Sequence, residues 1–214
     1  MKISDERFQK YMSLANKRQR DITIILENVY DTHNLGAAMR SCDAIGISDV
    51  YVLYTDPELQ RKEFKIGKRT TAGTKKWVQI HYFQDIDYCF EEVRKKYKRI
   101  FSTHLSDKSQ ELYDLDLSKP SALLFGNESD GVSQEALQKS DGNFIIPQMG
   151  MVESLNISVA CAVSLFEAMR QRISKNMYSD PEGVKESARP LLDQYMELHK
   201  SRKSQMPVIR YRKK

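Results

Sequence analysis

The chain has 214 residues, of which 40% are apolar and 29% are charged, and its formal net charge is +5. This composition is ordinary for a water-soluble protein, and the length suits one domain with short appendages. No run approaches the roughly 20 apolar residues that a membrane-spanning helix needs. The residues from Met1 to Phe8 carry charges where a secretion signal needs an apolar stretch, so neither a membrane-embedded nor a secreted protein is expected.

The cysteines and histidines argue against disulfides and against a metal site. Cys42, Cys89 and Cys161 are an odd number of cysteines, and no two of them form a Cys-x-x-Cys pair. The 4 histidines are not spaced as metal ligands. We therefore expect a protein of the reducing cytoplasm that binds no metal.

Basic charge is concentrated at the two ends of the chain. Residues 1–20 hold six Lys or Arg against two acids, and residues 199–214 hold seven against none. A third basic run, 61–76, holds seven against one and includes glycines typical of a flexible loop at 67–73. Charged ends are often merely solvated, but Tyr211 lies among the terminal cations, and cations beside an aromatic ring suit a phosphate backbone with exposed bases. Nucleic acid is therefore the expected partner.

Hydrophobic periodicity predicts strands that alternate with helices. Compact apolar runs predict strands at 22–26, 50–54, 78–82, 99–103, 122–125 and 144–146. Apolar residues at helical spacing predict helices at 4–18, 34–46, 85–96 and 133–139, and a long one that begins near 154 or 156. Such alternation is typical of an α/β fold, in which helices cover both faces of a mostly parallel sheet.

Two predicted strands each run into a segment rich in polar residues. Residues 28–46 contain an Asn and an Arg six positions apart, Asn34 and Arg40, within a predicted helix that stops at Gly46. Residues 123–133 contain a strand followed by the loop Gly-Asn-Glu-Ser-Asp-Gly, whose glycines permit tight turns and a close backbone approach to a ligand. On spacing alone, a surface helix arginine in an i,i+4 pair is the favoured interpretation of Arg40, and the loop carboxylate is explained as a turn residue exposed to water.

A third such segment occupies residues 144–172. A short strand is stopped by Pro147, and a loop leads into the long helix. Ser154 and Asn156 both suit the N-cap of that helix, because their side-chain oxygens can accept free amide protons of its first turn. The pattern is as typical of an ordinary strand, loop and helix as it is of a ligand site.

In this order, spread over about 145 positions, the three segments resemble the three motifs of the SPOUT RNA 2′-O-methyltransferases, in the TrmH (SpoU) branch. The match is closest to members that methylate guanosine 18 in the D-loop of tRNA. The resemblance implies S-adenosylmethionine as cofactor, a homodimer, and a deep trefoil knot in the C-terminal part of the sheet. Without it, an unknotted doubly wound sheet would be expected. The implied division is a basic helical extension at 1–20, a SPOUT methyltransferase domain at 21–175 and a basic extension at 176–214.

The resemblance also implies which residues carry the reaction. Arg40 matches the family's catalytic arginine; because a guanidinium stays protonated in proteins, we expect it to clamp a phosphate and polarise the 2′-hydroxyl, although the family also offers it as the base. Asn34 is expected to cap the helix that delivers Arg40. Glu128 is expected to orient the ribose or the arginine. The predicted catalytic set is Arg40, Glu128, Asn156, Ser154 and Asn34.

The expected cofactor neighbours, contacted largely through the backbone in this family, are Thr103, Leu124, Gly126, Ile146 and Leu155, with Met149 and Met151 nearby. The expected RNA contacts are His33, Arg170, Arg172, Arg210 and Arg212. No Gly-x-Gly-x-x-Gly run follows the first strand, which argues against an ordinary Rossmann methyltransferase. Two alternatives stay open: methylation of ribosomal RNA or of another tRNA nucleotide, and RNA binding without catalysis.

Overall fold

The structure, a computed structural model, describes residues 3–61, 64, 73–151, 154–201 and 205–211. The predicted loop at 67–73, apart from Gly73, and Arg212 lie outside these residues. Within the described ranges, no helix is both long enough and apolar enough to cross a membrane.

The described strands form one parallel sheet. Its strands are β1 (Ile22–Glu27), β2 (Asp49–Leu53), β3 (Gln79–Phe83), β4 (Arg99–Thr103), β5 (Gln110–Glu111), β6 (Ser121–Phe125), β7 (Gly142–Ile145) and β8 (Ile209–Arg210). Their order across the sheet is β5-β7-β4-β6-β1-β2-β3-β8, and each neighbouring pair is parallel. The predicted parallel sheet is confirmed. The knot stays a prediction, because strand order and pairing do not record how the chain is threaded.

Helices connect most of these strands. They are α1 (Asp5–Lys17), α2 (Thr32–Ala44), α3 (Pro57–Arg61), α4 (Ile86–Arg94), α5 (Gln134–Lys139), α6 (Ile157–Ser174) and α7 (Arg189–Lys200), with 3₁₀ turns at Thr74–Lys76, Leu112–Asp114 and Glu186–Ala188. All six predicted strands and all five predicted helices are present. The sequence did not predict α3, α7, β5 or β8.

Helices cover both faces of the sheet, as predicted. Successive side chains of a strand point to opposite faces, so Ile24 and Leu26 of β1 join one hydrophobic cluster while Ile25 joins the other. The first cluster lies beneath α2 and α6, which pack against each other. The second lies beneath α4 and α5. The burial of β1 on both faces explains why its sequence reads as a continuous apolar run.

The two terminal extensions pack against each other. Tyr11 and Ala15 of α1 share a third hydrophobic cluster with Leu192 and Tyr195 of α7. At the end of α1, Arg18 Nε donates to the Tyr195 hydroxyl at 3.0 Å. The ends of the chain, predicted as separate extensions, therefore form a common helical layer.

The segment 205–211 is not a solvated extension. Met206 is buried in the terminal cluster, and β8 pairs with β3. The ring of Tyr211 stacks on Phe83 with centroids 4.3 Å apart, and its hydroxyl lies 3.0 Å from His81 Nδ1. The sheet thus holds the start of the basic C-terminus in a defined place.

Candidate active site

The three sequence segments meet at one edge of the sheet. β7, β4, β6 and β1 are consecutive neighbours and all run in the same direction. Their carboxyl ends therefore lie at the same edge, where ligands commonly bind in open parallel sheets. The three segments continue from β1, β6 and β7 at that edge, so the order of the strands, rather than nearness in sequence, brings them together.

Three of the predicted catalytic side chains form a hydrogen-bonded chain. Asn34 Nδ2 donates to the Glu128 carboxylate, and Asn156 Nδ2 donates to Asn34 Oδ1 at 3.2 Å. These residues come from the three different segments. The contact leaves the Glu128 side chain exposed and oriented by a neutral amide, so its charge remains available to a ligand.

The N-cap of α2 differs from the prediction, whereas the N-cap of α6 agrees with it. Asp31, not Asn34, caps α2, because Asp31 Oδ1 accepts from the backbone N–H of His33 at 2.7 Å. The predicted capping role of Asn34 is therefore wrong: it lies within the first turn, which frees its side chain to reach Glu128. Asn156 is confirmed as the cap of α6, since its Oδ1 accepts from Ser158 N at 2.9 Å. Ser154 is exposed in the loop before it.

Arg40 lies on α2 but outside this chain of contacts. An ideal helix separates residues six apart by about 9 Å along its axis and about 120° around it. Arg40 is exposed, and among the described residues it forms no ion pair and no hydrogen bond. Arg40 is therefore an exposed guanidinium on the same helix as Asn34, and among the described residues it has no contact with Asn34 or Glu128.

Glu27, at the end of β1, was not predicted to matter for the site. Its carboxylate accepts from Ser133 N at 2.9 Å and from Ser133 Oγ at 2.6 Å, and only 1% of the residue is exposed. Burial raises the pKa of Glu27, against the opposing effect of both Ser133 bonds. Because Ser133 ends the loop that carries Glu128, Glu27 anchors that loop. A charged residue at the end of a fully buried apolar strand was the available sequence signal.

Gly126 fixes the other end of the same loop. A Cβ added there would lie 1.9 Å from the carbonyl carbon and oxygen of Gly131. Two backbone segments therefore pack together at a distance that excludes any side chain.

We expect Glu27→Ala to lower the free energy of unfolding by about 2 kcal/mol, because it leaves two donors of Ser133 without their buried acceptor. Glu27→Gln keeps one acceptor oxygen, so its free energy of unfolding should decrease by less than about half of that amount. Urea denaturation of the three proteins measures both differences. Equal stability of Glu27→Ala and wild type would show that Ser133 finds other partners.

The difference in stability between wild type and Glu27→Gln should depend on pH. The folded-state pKa of Glu27 is raised above its ordinary value of 4.5, so the unfolded chain releases this proton first as pH rises. Wild-type stability relative to Glu27→Gln should therefore fall as pH rises from the unfolded value through the folded one, and should be constant above it. Denaturation across this pH range measures the change.

The predicted cofactor neighbours lie at the same edge of the sheet. Thr103 ends β4, Gly126 follows β6 and Ile146 follows β7, on three adjacent strands. Thr103 Oγ1 donates to the Leu124 carbonyl at 3.3 Å. The Leu124 side chain is fully buried, so Leu124 can offer a ligand only its backbone. Leu155 is half-buried in the loop before α6.

Arg172 does not lie where the sequence predicted. Its side chain is completely buried and donates to the Leu117 carbonyl at 3.0 Å, to Gln19 Oε1 at 3.0 Å and to Asp21 Oδ1 at 2.5 Å. The predicted RNA contact by Arg172 is therefore wrong, because this guanidinium ties the end of α6 to the chain that enters β1.

The other described residues predicted to contact RNA reach the surface. Arg170 forms an ion pair with Glu167 at 2.8 Å, yet 68% of its side chain is exposed. His33 is exposed beside Asp31, and Arg210 is exposed on β8. Their contact with RNA stays a prediction.

Comparison with known proteins decides the family. The model of the SpoU rRNA Methylase family matches residues 21–166. This chain belongs to the SpoU methylase family. A relative from Thermus thermophilus, named tRNA (guanosine(18)-2′-O)-methyltransferase, is 38% identical over 83% of this chain and 89% of its own length. A protein of the same name from Escherichia coli is 34% identical over 82% of this chain and 75% of its own.

Solved structures agree with this assignment. The TrmH/SpoU tRNA modifying enzyme of A. aeolicus is 34% identical, with a TM-score of 0.79 over 91% of this chain and 97% of that one. An AdoMet-bound rRNA methyltransferase from Sinorhizobium meliloti is 28% identical, with a TM-score of 0.59 over 73% of this chain and 59% of that one. The chain is thus a methyltransferase of the predicted family.

Proposed function

We propose that this SpoU-family enzyme transfers a methyl group from S-adenosylmethionine to the 2′-hydroxyl of guanosine 18 in tRNA. The hydrogen-bonded chain of Asn34, Glu128 and Asn156 carries the proposal, because it joins three segments that are distant in sequence, and the helix of Asn34 also carries the exposed Arg40. The names of the Thermus and Escherichia relatives support guanosine 18 of tRNA as the target. Since tRNA is the substrate, the enzyme acts in the cytoplasm.

The side chains divide the chemistry between charge and orientation. The attacking hydroxyl must lose a proton and align with the methyl donor. Glu128, held by Asn34, accepts a hydrogen bond from the substrate ribose and orients it. Arg40 binds the phosphate next to that ribose. Because a guanidinium does not give up its proton, the bound phosphate rather than Arg40 takes the proton from the hydroxyl.

The residues at the ends of β4, β6 and β7 fit S-adenosylmethionine. Ile146 and Leu155 are half-buried apolar side chains that suit the adenine, and the strand ends offer backbone groups for its polar edges. Met149 and Met151 are almost entirely exposed in the adjoining loop and can close over a ligand. When bound, the cofactor supplies an electrophilic methyl group.

An apolar stripe on α6 supports a homodimer. Val159, Phe166 and Ile173 are 46%, 52% and 54% exposed. They recur every seven residues, so they share one face of the helix. Exposed apolar stripes of this kind mark interfaces, and a second copy of the chain covers this one symmetrically.

Basic residues around the fold supply the tRNA contacts. His33 lies in the first turn of α2, the helix that also carries Arg40. Arg170, Arg210 and Arg212 add cations on α6 and at the C-terminus. Phosphate contacts from such side chains position an RNA without reading its sequence.

We expect truncation after Tyr211 to weaken tRNA binding while leaving S-adenosylmethionine binding unchanged. The cut removes three cations but keeps β8, Met206 and the stacking of Tyr211 on Phe83. The slope of log affinity against log salt should become shallower by about 0.7–0.9 for each lost phosphate contact. A variant with serine at the last three positions controls for chain length. An unchanged slope in both variants would assign these contacts elsewhere.

The proposed function is tested by incubating the enzyme with tRNA and labelled S-adenosylmethionine and mapping the methylated nucleotide. A tRNA with 2′-deoxyguanosine at position 18 is the matched control, because it lacks only the accepting hydroxyl. We expect label on guanosine 18 and none on the control. Methylation of 23S rRNA with no transfer to tRNA would contradict the proposed substrate.

A further inference from the structure

Tyr30 presents an exposed aromatic ring at the edge of the candidate active site. It follows β1 and directly precedes Asp31, the cap of α2, and 45% of the residue is exposed. Asn34 is four positions further on, at most about 14 Å even along a fully extended chain. Tyr30 therefore belongs to the short segment that leads from β1 into α2, the helix that carries Asn34.

The loop that carries Tyr30 is clamped to the loop after β2. Asn28 adopts a left-handed conformation with φ of 50°, which is uncommon for a residue other than glycine. Its Oδ1 accepts from Thr55 N at 2.9 Å and from Asp56 N at 3.1 Å, and its Nδ2 donates to Thr55 Oγ1 at 2.8 Å. The loop is thus fixed before any ligand arrives.

Two tyrosine hydroxyls add to the same clamp. Tyr54 donates to the Val29 carbonyl at 2.9 Å, and Tyr30 donates to Asp56 Oδ2 at 3.1 Å. The second bond fixes the ring of Tyr30 at its hydroxyl end, and no aromatic ring stacks on it within the part of the chain that the structure describes. Ordering this side chain on binding should therefore cost little entropy.

The Tyr30 hydroxyl lies among acidic residues. Its pKa is raised by burial, by the hydrogen bond to Asp56 and by the charges of Asp56, Asp130 and Glu58. Asp130 lies two positions after Glu128, so the loop that carries Glu128 is within electrostatic range of the Tyr30 hydroxyl. Contacts link Tyr30 to the proposed ribose site as well: Tyr30 precedes the cap of α2, and α2 carries Asn34, which donates to Glu128.

We propose that the ring of Tyr30 stacks on the base of the nucleotide whose ribose is methylated. This inference rests on the proposed function. Proteins that recognise nucleotides in RNA loops commonly take unstacked bases and stack them on aromatic side chains. A pre-positioned ring at the edge of the ribose site is suited to that task.

The first test compares Tyr30→Ala with Tyr30→Phe. Tyr30→Ala should raise the KM for tRNA about ten-fold or more, as loss of one base-stacking ring typically does. Tyr30→Phe keeps the ring and should stay within about three-fold of wild type. Affinity for S-adenosylmethionine should not change in either variant.

Tyr113→Ala is the matched control. Tyr113 is 55% exposed and follows β5, which is four strands from β1 and hence about 19 Å away across the sheet. The Tyr113→Ala variant should have the same KM for tRNA as wild type. A KM for Tyr30→Ala equal to that of wild type would overturn the inference.

The decisive experiment removes the base instead of the ring. The wild-type enzyme should bind tRNA with an abasic ribose at position 18 more weakly than intact tRNA. Tyr30→Ala should bind the abasic tRNA with the same affinity as wild type does. If Tyr30→Ala lowered the affinity for intact and abasic tRNA equally, the inference would be overturned, because the ring would then contact something other than this base. Dissociation of Tyr30→Ala into monomers by light scattering would also overturn it and assign the ring to a subunit interface. Failure of wild type to methylate any tRNA would instead overturn the proposed function.

Discussion

Replacement of Arg40 by alanine is expected to lower kcat by about a hundred-fold or more, the usual loss when a group that stabilises transition-state charge is removed. Arg40 is exposed and unpaired among the described residues, so its truncation should change the free energy of unfolding by less than about 0.5 kcal/mol. Affinity for S-adenosylmethionine should be unchanged. Single-turnover methylation of tRNA measures the chemical step directly.

Two further variants make this result specific. Arg40→Lys keeps the positive charge but loses the planar fork that binds phosphate at two points. Its kcat should therefore lie between those of wild type and Arg40→Ala. Arg189→Ala removes another exposed arginine without a partner in the described part of the chain, and its kcat should equal that of wild type. Near-wild-type turnover by Arg40→Ala would end the proposed role of Arg40.

The second large effect is expected from mixing two inactive variants. We propose that the pocket combines Arg40 of one copy with the cofactor residues of the other, as the resemblance to the SPOUT enzymes implies. Arg40→Ala and a cofactor-site variant should each be inactive alone. After random exchange of subunits, half of the dimers are mixed and each holds one intact pocket, which restores about a quarter of wild-type activity.

The cofactor-site variant has to be chosen from the structure. Gly126→Trp is unsuitable, because any side chain at Gly126 collides with the backbone of Gly131 and would disturb folding. Leu155→Arg is preferable, since Leu155 is only half-buried and lies in the loop before α6. No recovery of activity in dimers shown to be mixed would place each pocket within one subunit. A monomer that is fully active would contradict the dimer itself.

Much of the fold follows from local sequence patterns. The run Ile22–Glu27 is apolar because β1 is buried on both faces, and this direct link between burial and composition made the strand predictable. The two-residue strands β5 and β8 carry no such signal. Ile209–Arg210 is a strand only because β3 offers an edge to pair with, and that depends on residues more than a hundred positions away.

The sequence by itself determined the family, the alternation of strands and helices, and the three segments that meet at the candidate site, because motifs and periodicity are properties of neighbouring residues. It could not decide which of two nearby arginines on α6 meets solvent. Arg170 and Arg172 are both basic residues near a helix end, yet only the second points into the protein, where Leu117, Gln19 and Asp21 accept its hydrogen bonds.

Tertiary structure also decided the contacts of the site. Asn34 reads from sequence as a helix cap, but Asp31 takes that position, and the parallel order of β1 and β6 brings Glu128 to the freed Asn34 side chain. Glu27 acquires its role only because the same order places Ser133 against it. Hydrogen bonds between residues about a hundred positions apart depend on how strands are arranged in the sheet, and no local pattern records that arrangement.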